Sequence, residues 1–196
     1  MCGRYHIKNE TYGELGRILG ESVSLFNIHG DIHPCDEAPV ICRKNGLVSL
    51  EGMIWGYPSV HSSSPVINAR VETIEDKPMF KNDVLFRRCV IPASHFYEWD
   101  RYKQKATFDL PGHEICYMAG IYRQCKDAEH FTVITTQAND SVKMIHERMP
   151  LLIREEDILS WIGDSFRELM LMKMPELNVH IENEQLSFVN INLSFP

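Results

Sequence analysis

Short runs with the composition of β-strands recur along this chain with no repeated strand–helix–strand rhythm between them, and that absence restricts the fold most. The runs lie at 38–43 (APVICR), 47–56 (LVSLEGMIWG), 66–71, 87–92, 95–100, 105–110, 115–123 and 130–136. Lys44-Asn45-Gly46 separates the first two, and Asn-Gly is a strong signal for a tight hairpin. The opening CGRYHI alternates in the same way, and the tail 177–193 returns to strand character. Parallel strands need long crossovers, usually helical, so this pattern predicts an α+β fold around a largely antiparallel sheet. Helices are expected where apolar residues take helical spacing: one capped by Asn9 and running through Leu15 and Leu19 to Gly20, one opened by Asp140 and carrying Val142 and Ile145, and two at 154–162 and 165–172.

With 196 residues, the chain is long enough for one well-buried core and short for two. No apolar run approaches the roughly 20 residues of a membrane span. The start, MCGRYHIKNE, lacks the apolar stretch of a secretory signal, so a cytoplasmic protein is expected. The net charge of −7 argues against broad, sequence-blind nucleic-acid binding, though a local basic groove remains compatible with it. The six cysteines, at 2, 35, 42, 89, 116 and 125, form no C-x-x-C pair, and neither a metal site nor a disulfide framework is expected. Cys89 and Cys116 lie in apolar runs and read as small core residues.

Cys2 is set apart by position. Once Met1 is removed it carries a free α-amine beside its thiol, and two nucleophiles on adjacent carbons can condense with an aldehyde. The amine forms an imine and the thiol closes a five-membered thiazolidine; an internal cysteine, whose nitrogen is an amide, cannot do this. Ordinary values of about 7.7–8.0 for the amine and about 8.5 for the thiol mean that both need help near neutrality. Glu98 sits in FYEW among three aromatics. If it shares the buried face of Phe96 its pKa rises, which suits proton transfer; otherwise it is an exposed strand glutamate. His146, in IHERMP, can shuttle protons or simply end a helix favourably. INARVET (67–73) puts Asn68, Arg70 and Glu72 on one strand face, where Asn68 could orient a carbonyl and Arg70 grip a phosphate, unless the face is merely solvated. Trp55, in MIWGYP, reads as core or as a base-stacking platform.

Taken in order, M-C-G-R-Y, W-G-Y-x (55–58), I-N-A-R-V-E-T (67–73), R-R-C-V-I-P-A-x-x-F-Y-E-W (87–99) and H-x-R-M-P (146–150) resemble the SOS response-associated peptidase family, which includes abasic-site shield proteins. A later match is suggested at Leu186–Asn190. The resemblance implies a single domain over 1–196 with a barrel-like core and short helices. It also implies a monomeric protein without cofactor or metal that binds single-stranded DNA carrying abasic sites, associates with the nucleoid when such DNA is present, and crosslinks through Cys2 after autocatalytic loss of Met1. By motif match Cys2 is the nucleophile, Asn68 positions the amine and sugar, Glu98 accepts the thiol proton and His146 assists ring opening. Arg4, Arg70 and Lys77 would hold phosphates, with Trp55 also on the DNA side. The alternative is a cysteine peptidase acting through Cys2 on other peptides. Two segments depart from the family pattern: 59–65 (SVHSSSP) lacks the tryptophans often found there, and GDIHP (30–34) replaces a usual Y-N-x-A-P.

Overall fold

The computed structural model describes residues 2–19, 23, 27–60, 62–126 and 128–182. Thirteen strands form two sheets among these residues. The strands are β1 (Tyr5–Ile7), β2 (Gly30–Ile32), β3 (Glu37–Lys44), β4 (Leu47–Trp55), β5 (Asn68–Arg70), β6 (Arg88–Ala93), β7 (His95–Trp99), β8 (Lys105–Asp109), β9 (Cys116–Gln124), β10 (Glu129–Gln137), β11 (Arg148–Pro150), β12 (Leu152–Ile153) and β13 (Asn178–Ile181). Three α-helices accompany them: α1 (Thr11–Leu19), α2 (Lys81–Phe86) and α3 (Ile158–Trp161).

The larger sheet closes on itself. Its order β10-β4-β3-β6-β9 returns to β10 because β9 pairs β10 directly, giving a five-stranded barrel that is the core of the molecule. The α+β expectation with a mostly antiparallel, barrel-like centre is met, with parallel pairing confined to β10 against β4 and β5. Burial explains which strands do this. Every residue of β6 and all but the ends of β10 are buried, as expected of strands covered on both faces. The second sheet, ordered β13-β8-β7-β1-β2, is covered on one face only: β8 alternates half-buried and buried residues along its length. Tyr5 of this sheet packs on Trp55 of the barrel at 5.1 Å, and Phe96 stacks on Phe108 at 5.1 Å.

Asn45 and Gly46 both take positive φ (52° and 83°), the requirement of the tight primed turn that joins β3 to β4. At Ser94 the chain passes from the barrel (β6) to the open sheet (β7). Ser94 N donates to His6 O at 2.7 Å and Lys8 N donates to Ser94 Oγ at 2.9 Å, fixing β1 beside that corner.

Four expected elements differ. The strand at 66–71 shortens to β5, because Val71–Thr73 winds into a 3-10 turn. The helix expected from Asp140 does not form: β10 and β11 are arms of one hairpin, Ala138 N donating to Glu147 O at 3.0 Å, and residues 139–146 stay in turns. At 154–162 a 3-10 turn (Glu155–Asp157) leads into the short α3. At 165–172 only Leu169–Leu171 turns, and Met172 is extended (ψ 144°) ahead of the irregular path to Pro175. The first helix is present through Leu19, but its expected end at Gly20, the tail beyond Glu182 and the Leu186–Asn190 match lie outside the described residues. Sequence patterning missed β2, α2, β11 and β12. Among the described residues, no helix is long and apolar enough to cross a membrane.

Candidate functional site

The site lies where the open sheet meets one end of the barrel. Strand β4 leaves β10 at Trp55, paired with Phe131, and β5 joins the same edge at Asn68, paired with Val133. The excursion 56–67 therefore departs and returns within two residues of β10, and delivers Asn68 to the barrel rim. Its root is firmly held: Gly56 N donates to Phe131 O at 2.7 Å, His130 Nδ1 lies 2.6 Å from Gly56 O, and the Arg123 guanidinium stands 4.3 Å from the Tyr57 ring centre. Arg123 is itself fixed, with Arg87, by the fully buried Asp83 of α2.

Asn68 Nδ2 donates to the carbonyl oxygen of Cys2 at 3.0 Å, which ties the amino-terminal segment to the barrel. Cys2 is fully buried, and its Sγ faces Arg4 O at 3.7 Å. The same carbonyl accepts from Tyr97 N at 3.0 Å, so residues 2–4 continue β1 alongside β7 and bring Cys2 toward Glu98. Burial pushes the Cys2 thiol far above its ordinary pKa, and the charge of Glu98 adds to the rise.

Glu98 and Phe96 are both buried, the former 3 % exposed, so the carboxyl does lie on the core face that the FYEW pattern allowed. That burial raises its pKa from 4.5 to about 7. His146 follows the turns after β10. Its Nδ1 lies 3.0 Å from Arg148 N and 3.2 Å from Arg148 O, so a neutral ring can accept from the first and a protonated ring can donate to the second. Burial is the main cause holding its pKa below the ordinary value. The Cys2 thiol thus feels the charge of a carboxyl whose pKa stands near 7, a group that can move protons near neutral pH.

The basic residues separate into groups. Arg70 is exposed at the end of β5, and Lys77 is exposed in the turns that follow. Arg4 is partly exposed, its guanidinium 5.1 Å from the Trp99 ring centre and 3.8 Å from Asp31. Trp55 requires a correction. It is fully buried, stacked on Phe131 at 6.2 Å with its Nε1 donating to Ile67 O at 3.1 Å, so its ring cannot meet DNA and serves the core. Glu72 does not continue the face of Asn68 and Arg70; it turns to Arg148, which grips it with two bonds of 2.6 and 2.9 Å and also donates to Thr135 O at 2.6 Å. The sequence reading gave Arg148 no role of its own, although it ties the segment after His146 to the 3-10 turn that follows β5 and to β10. Of the segment 59–65, His61 lies outside the described residues and Val60 is almost wholly exposed. Among the described residues no group of His, Cys, Asp and Glu is arranged to hold a metal ion.

Residues 1–192 match the family model described as SOS response associated peptidase (SRAP). Over 184 residues the chain is 29% identical to the abasic site processing protein YoqW of Bacillus subtilis, covering 83% of this chain and 80% of that one. It is 28% identical to the abasic site processing protein YedK of Escherichia coli over 83% of this chain and 79% of the relative. Among solved structures, a protein of Bacteroides thetaiotaomicron superposes with a TM-score of 0.76 at 20% identity, over 95% of this chain and 94% of that one. A phage-related protein of Bordetella bronchiseptica does so with a TM-score of 0.76 at 22% identity, over 93% and 95%. The two structures share this fold.

Proposed function

The chain belongs to the SOS response associated peptidase family, and from that premise we propose that it processes abasic sites by capturing them covalently in single-stranded DNA. The substrate is the ring-opened abasic sugar, whose C1′ aldehyde is the electrophile. After water adds across the Met1–Cys2 peptide bond and methionine leaves, the Cys2 α-amine attacks C1′ and water departs, leaving an imine. The thiol then adds to the imine carbon, its proton passes to the nitrogen, and a thiazolidine joins protein to DNA. Removal of methionine consumes one water and imine formation releases one, and no oxidant or reductant is needed.

The observation that carries this reading is the bond from Asn68 to the Cys2 carbonyl at 3.0 Å, beside a buried carboxyl whose pKa stands at about 7. Asn68 fixes where the amine points. Glu98 can take the thiol proton at neutral pH, and a thiol raised by burial needs such an acceptor. His146, with a backbone partner for either protonation state, serves ring opening and the imine proton transfers. Arg4, Arg70 and Lys77 supply phosphate contacts. They are few on a chain of net charge −7, so about three neutralised phosphates should give a log K against log salt slope near −2.

The test is direct. Protein whose intact mass shows loss of methionine is mixed with single-stranded DNA carrying one enzymatically generated abasic site, and the products are run on a denaturing gel after heating. A heat-stable conjugate is expected, absent for Cys2→Ala. Cys2→Ser should give an adduct that survives heating far better after borohydride reduction of the imine. No conjugate from the processed protein would overturn the proposal, and turnover of unrelated peptides without DNA would favour a peptidase instead.

A further inference from the structure

Arg4 is the phosphate contact nearest Cys2 in sequence, yet it is already partly occupied. Its Nη1 lies 3.8 Å from Asp31 Oδ2, one face of its guanidinium looks onto Trp99 at 5.1 Å, and its Nε is buried without a hydrogen-bond partner. A guanidinium offers five donors in a planar fork, and this one is left under-satisfied. Asp31 is held far more strictly than Arg4 is. The pairing of β1 with β2 puts Asp31 opposite His6. Its Oδ1 then lies 2.8 Å from His6 Nδ1 and accepts from Tyr97 OH at 2.9 Å. His95 completes the set, its Nε2 2.9 Å from Tyr97 OH and its ring stacked on His6 at 4.7 Å. Burial alone would raise the Asp31 carboxyl, but the bonds from His6 and Tyr97 hold it below its ordinary value, so it stays ionised. The segment that carries it, GDIHP, is one of the two that depart from the family pattern.

We propose that Asp31 is an internal competitor for the DNA phosphate at Arg4, held in place by His6 and Tyr97, and that it sets how tightly and how salt-sensitively this protein binds single-stranded DNA beside the lesion. The inference rests on the reading of Arg4 as a phosphate contact in the preceding section. A carboxylate pinned by two neighbours cannot follow Arg4 when that side chain turns to a phosphate, so binding exchanges one ion pair for another. The gain from Arg4 is reduced accordingly. Damaged DNA is captured covalently, and a weak, readily reversible first contact lets intact strands go.

The experiment uses the full chain without Met1 and a fluorescent single strand bearing a tetrahydrofuran abasic analogue, which has no aldehyde and so reports binding alone. Anisotropy titrations run from 50 to 200 mM salt on wild type, Asp31→Asn, Asp31→Ala, Arg4→Ala and the double variant Arg4→Ala/Asp31→Asn. Asp109→Asn serves as a control: it removes the same charge from β8, three strands away in the same sheet, where Asp109 faces Asn178 and His180 instead. Asp31→Asn should bind about two- to fivefold tighter at 50 mM salt, the worth of one exposed ion pair. Its slope should steepen by about 0.7, one more phosphate on a single strand. Asp109→Asn should do neither, and Arg4→Ala should erase the gain. An unchanged or weaker Asp31→Asn with a wild-type melting curve overturns the proposal, as does a gain that persists without Arg4. If the second Asp31 variant alone folds, the same criteria apply to it. Failure of the wild type to bind at all overturns the parent reading as well, and is recognised because it precedes any comparison among variants.

Discussion

Glu98→Gln should make this protein more stable and less active at the same time, with both effects governed by pH. The carboxyl lies buried under the open sheet, 3 % exposed, and burial raises its pKa from 4.5 to about 7. A group whose folded pKa is raised contributes stability that is fully present below its unfolded value and is lost as pH rises through the folded value. The unfolded chain gives up this proton near 4.5 and the folded chain only near 7, so between those values the native state retains a proton that the unfolded state has released, and stability falls. At about 1.4 kcal/mol for each pH unit between the two values, the total is about 3 kcal/mol by pH 8, of which about 2 kcal/mol or slightly more is lost between pH 5 and pH 8. Glutamine keeps the size and one acceptor but carries no charge to desolvate. Urea denaturation of wild type and Glu98→Gln at pH 5 and pH 8 should therefore show curves that nearly coincide in the acid and separate by a few kcal/mol in the base, the variant being the more stable. The conjugation rate should behave in the opposite sense. Wild type should rise with pH through an inflection near 7, while Glu98→Gln stays slow and lacks that inflection, with binding to the aldehyde-free strand nearly intact. Parallel stability curves from pH 5 to pH 8 would refute the argument, since they would mean that Glu98 is not held neutral by the fold.

Arg70→Ala should weaken binding to the abasic analogue and flatten the salt dependence by about 0.7 of a unit of slope, measured by the same anisotropy titrations; an unchanged slope removes Arg70 from the phosphate contacts. Arg148→Lys keeps the charge but loses the planar fork that grips Glu72 and Thr135 O, and should cost about 2 kcal/mol of stability by denaturant titration, with slower conjugation through displacement of the His146 turn. Gly120→Ala should destabilise the barrel by about 1–3 kcal/mol, because an added Cβ would clash with Ile91 Cδ1 and crowd Cys89 Sγ at 3.0 Å and Thr132 O at 3.1 Å. Trimming Ile91 to valine in the same chain should recover part of that loss.

The strands were legible because their signals are local. β-Branched and aromatic residues mark β3, β4, β6, β7, β9 and β10, and Asn45-Gly46 has the backbone that its hairpin needs. Barrel closure was legible only through the family resemblance, because it depends on β10 pairing both β4 and β9, a register that no neighbouring residue encodes. Helix α2 was hidden for a related reason. Its buried positions include Asp83, a charge that reads as solvent-facing until Arg87 and Arg123 are brought to it. In the site, single residues with unusual chemistry could be picked out: Cys2 by position, and Glu98 by the aromatics around it. Pairs could not. Arg148 meets Glu72 across 76 positions and Asp31 meets Tyr97 across 66, and neither partner announces the other. Trp55 shows the converse limit, since an aromatic in a strand reads the same whether it faces the core or a base.

The burial of Cys2 bears on the order of events in the proposed reaction. An enzyme that attacks through sulfur first usually lowers the pKa of its thiol, whereas this fold raises it through burial and the nearby Glu98 charge. The resting thiol is therefore neutral, a poor nucleophile and a poor target for oxidants. The α-amine is the other nucleophile of the pair, and the bond from Asn68 to the Cys2 carbonyl holds the residue that carries it at the site. Amine attack first, thiol second, follows from those two facts. Protonation of the imine nitrogen gives an iminium with an electron-poor carbon beside the sulfur, and that charge makes it easier for Glu98 to take the proton that burial had fixed on Cys2. The environment that suppresses the thiol in the free protein is thus reversed by the first covalent step, and ring closure is confined to a strand that has already supplied an aldehyde.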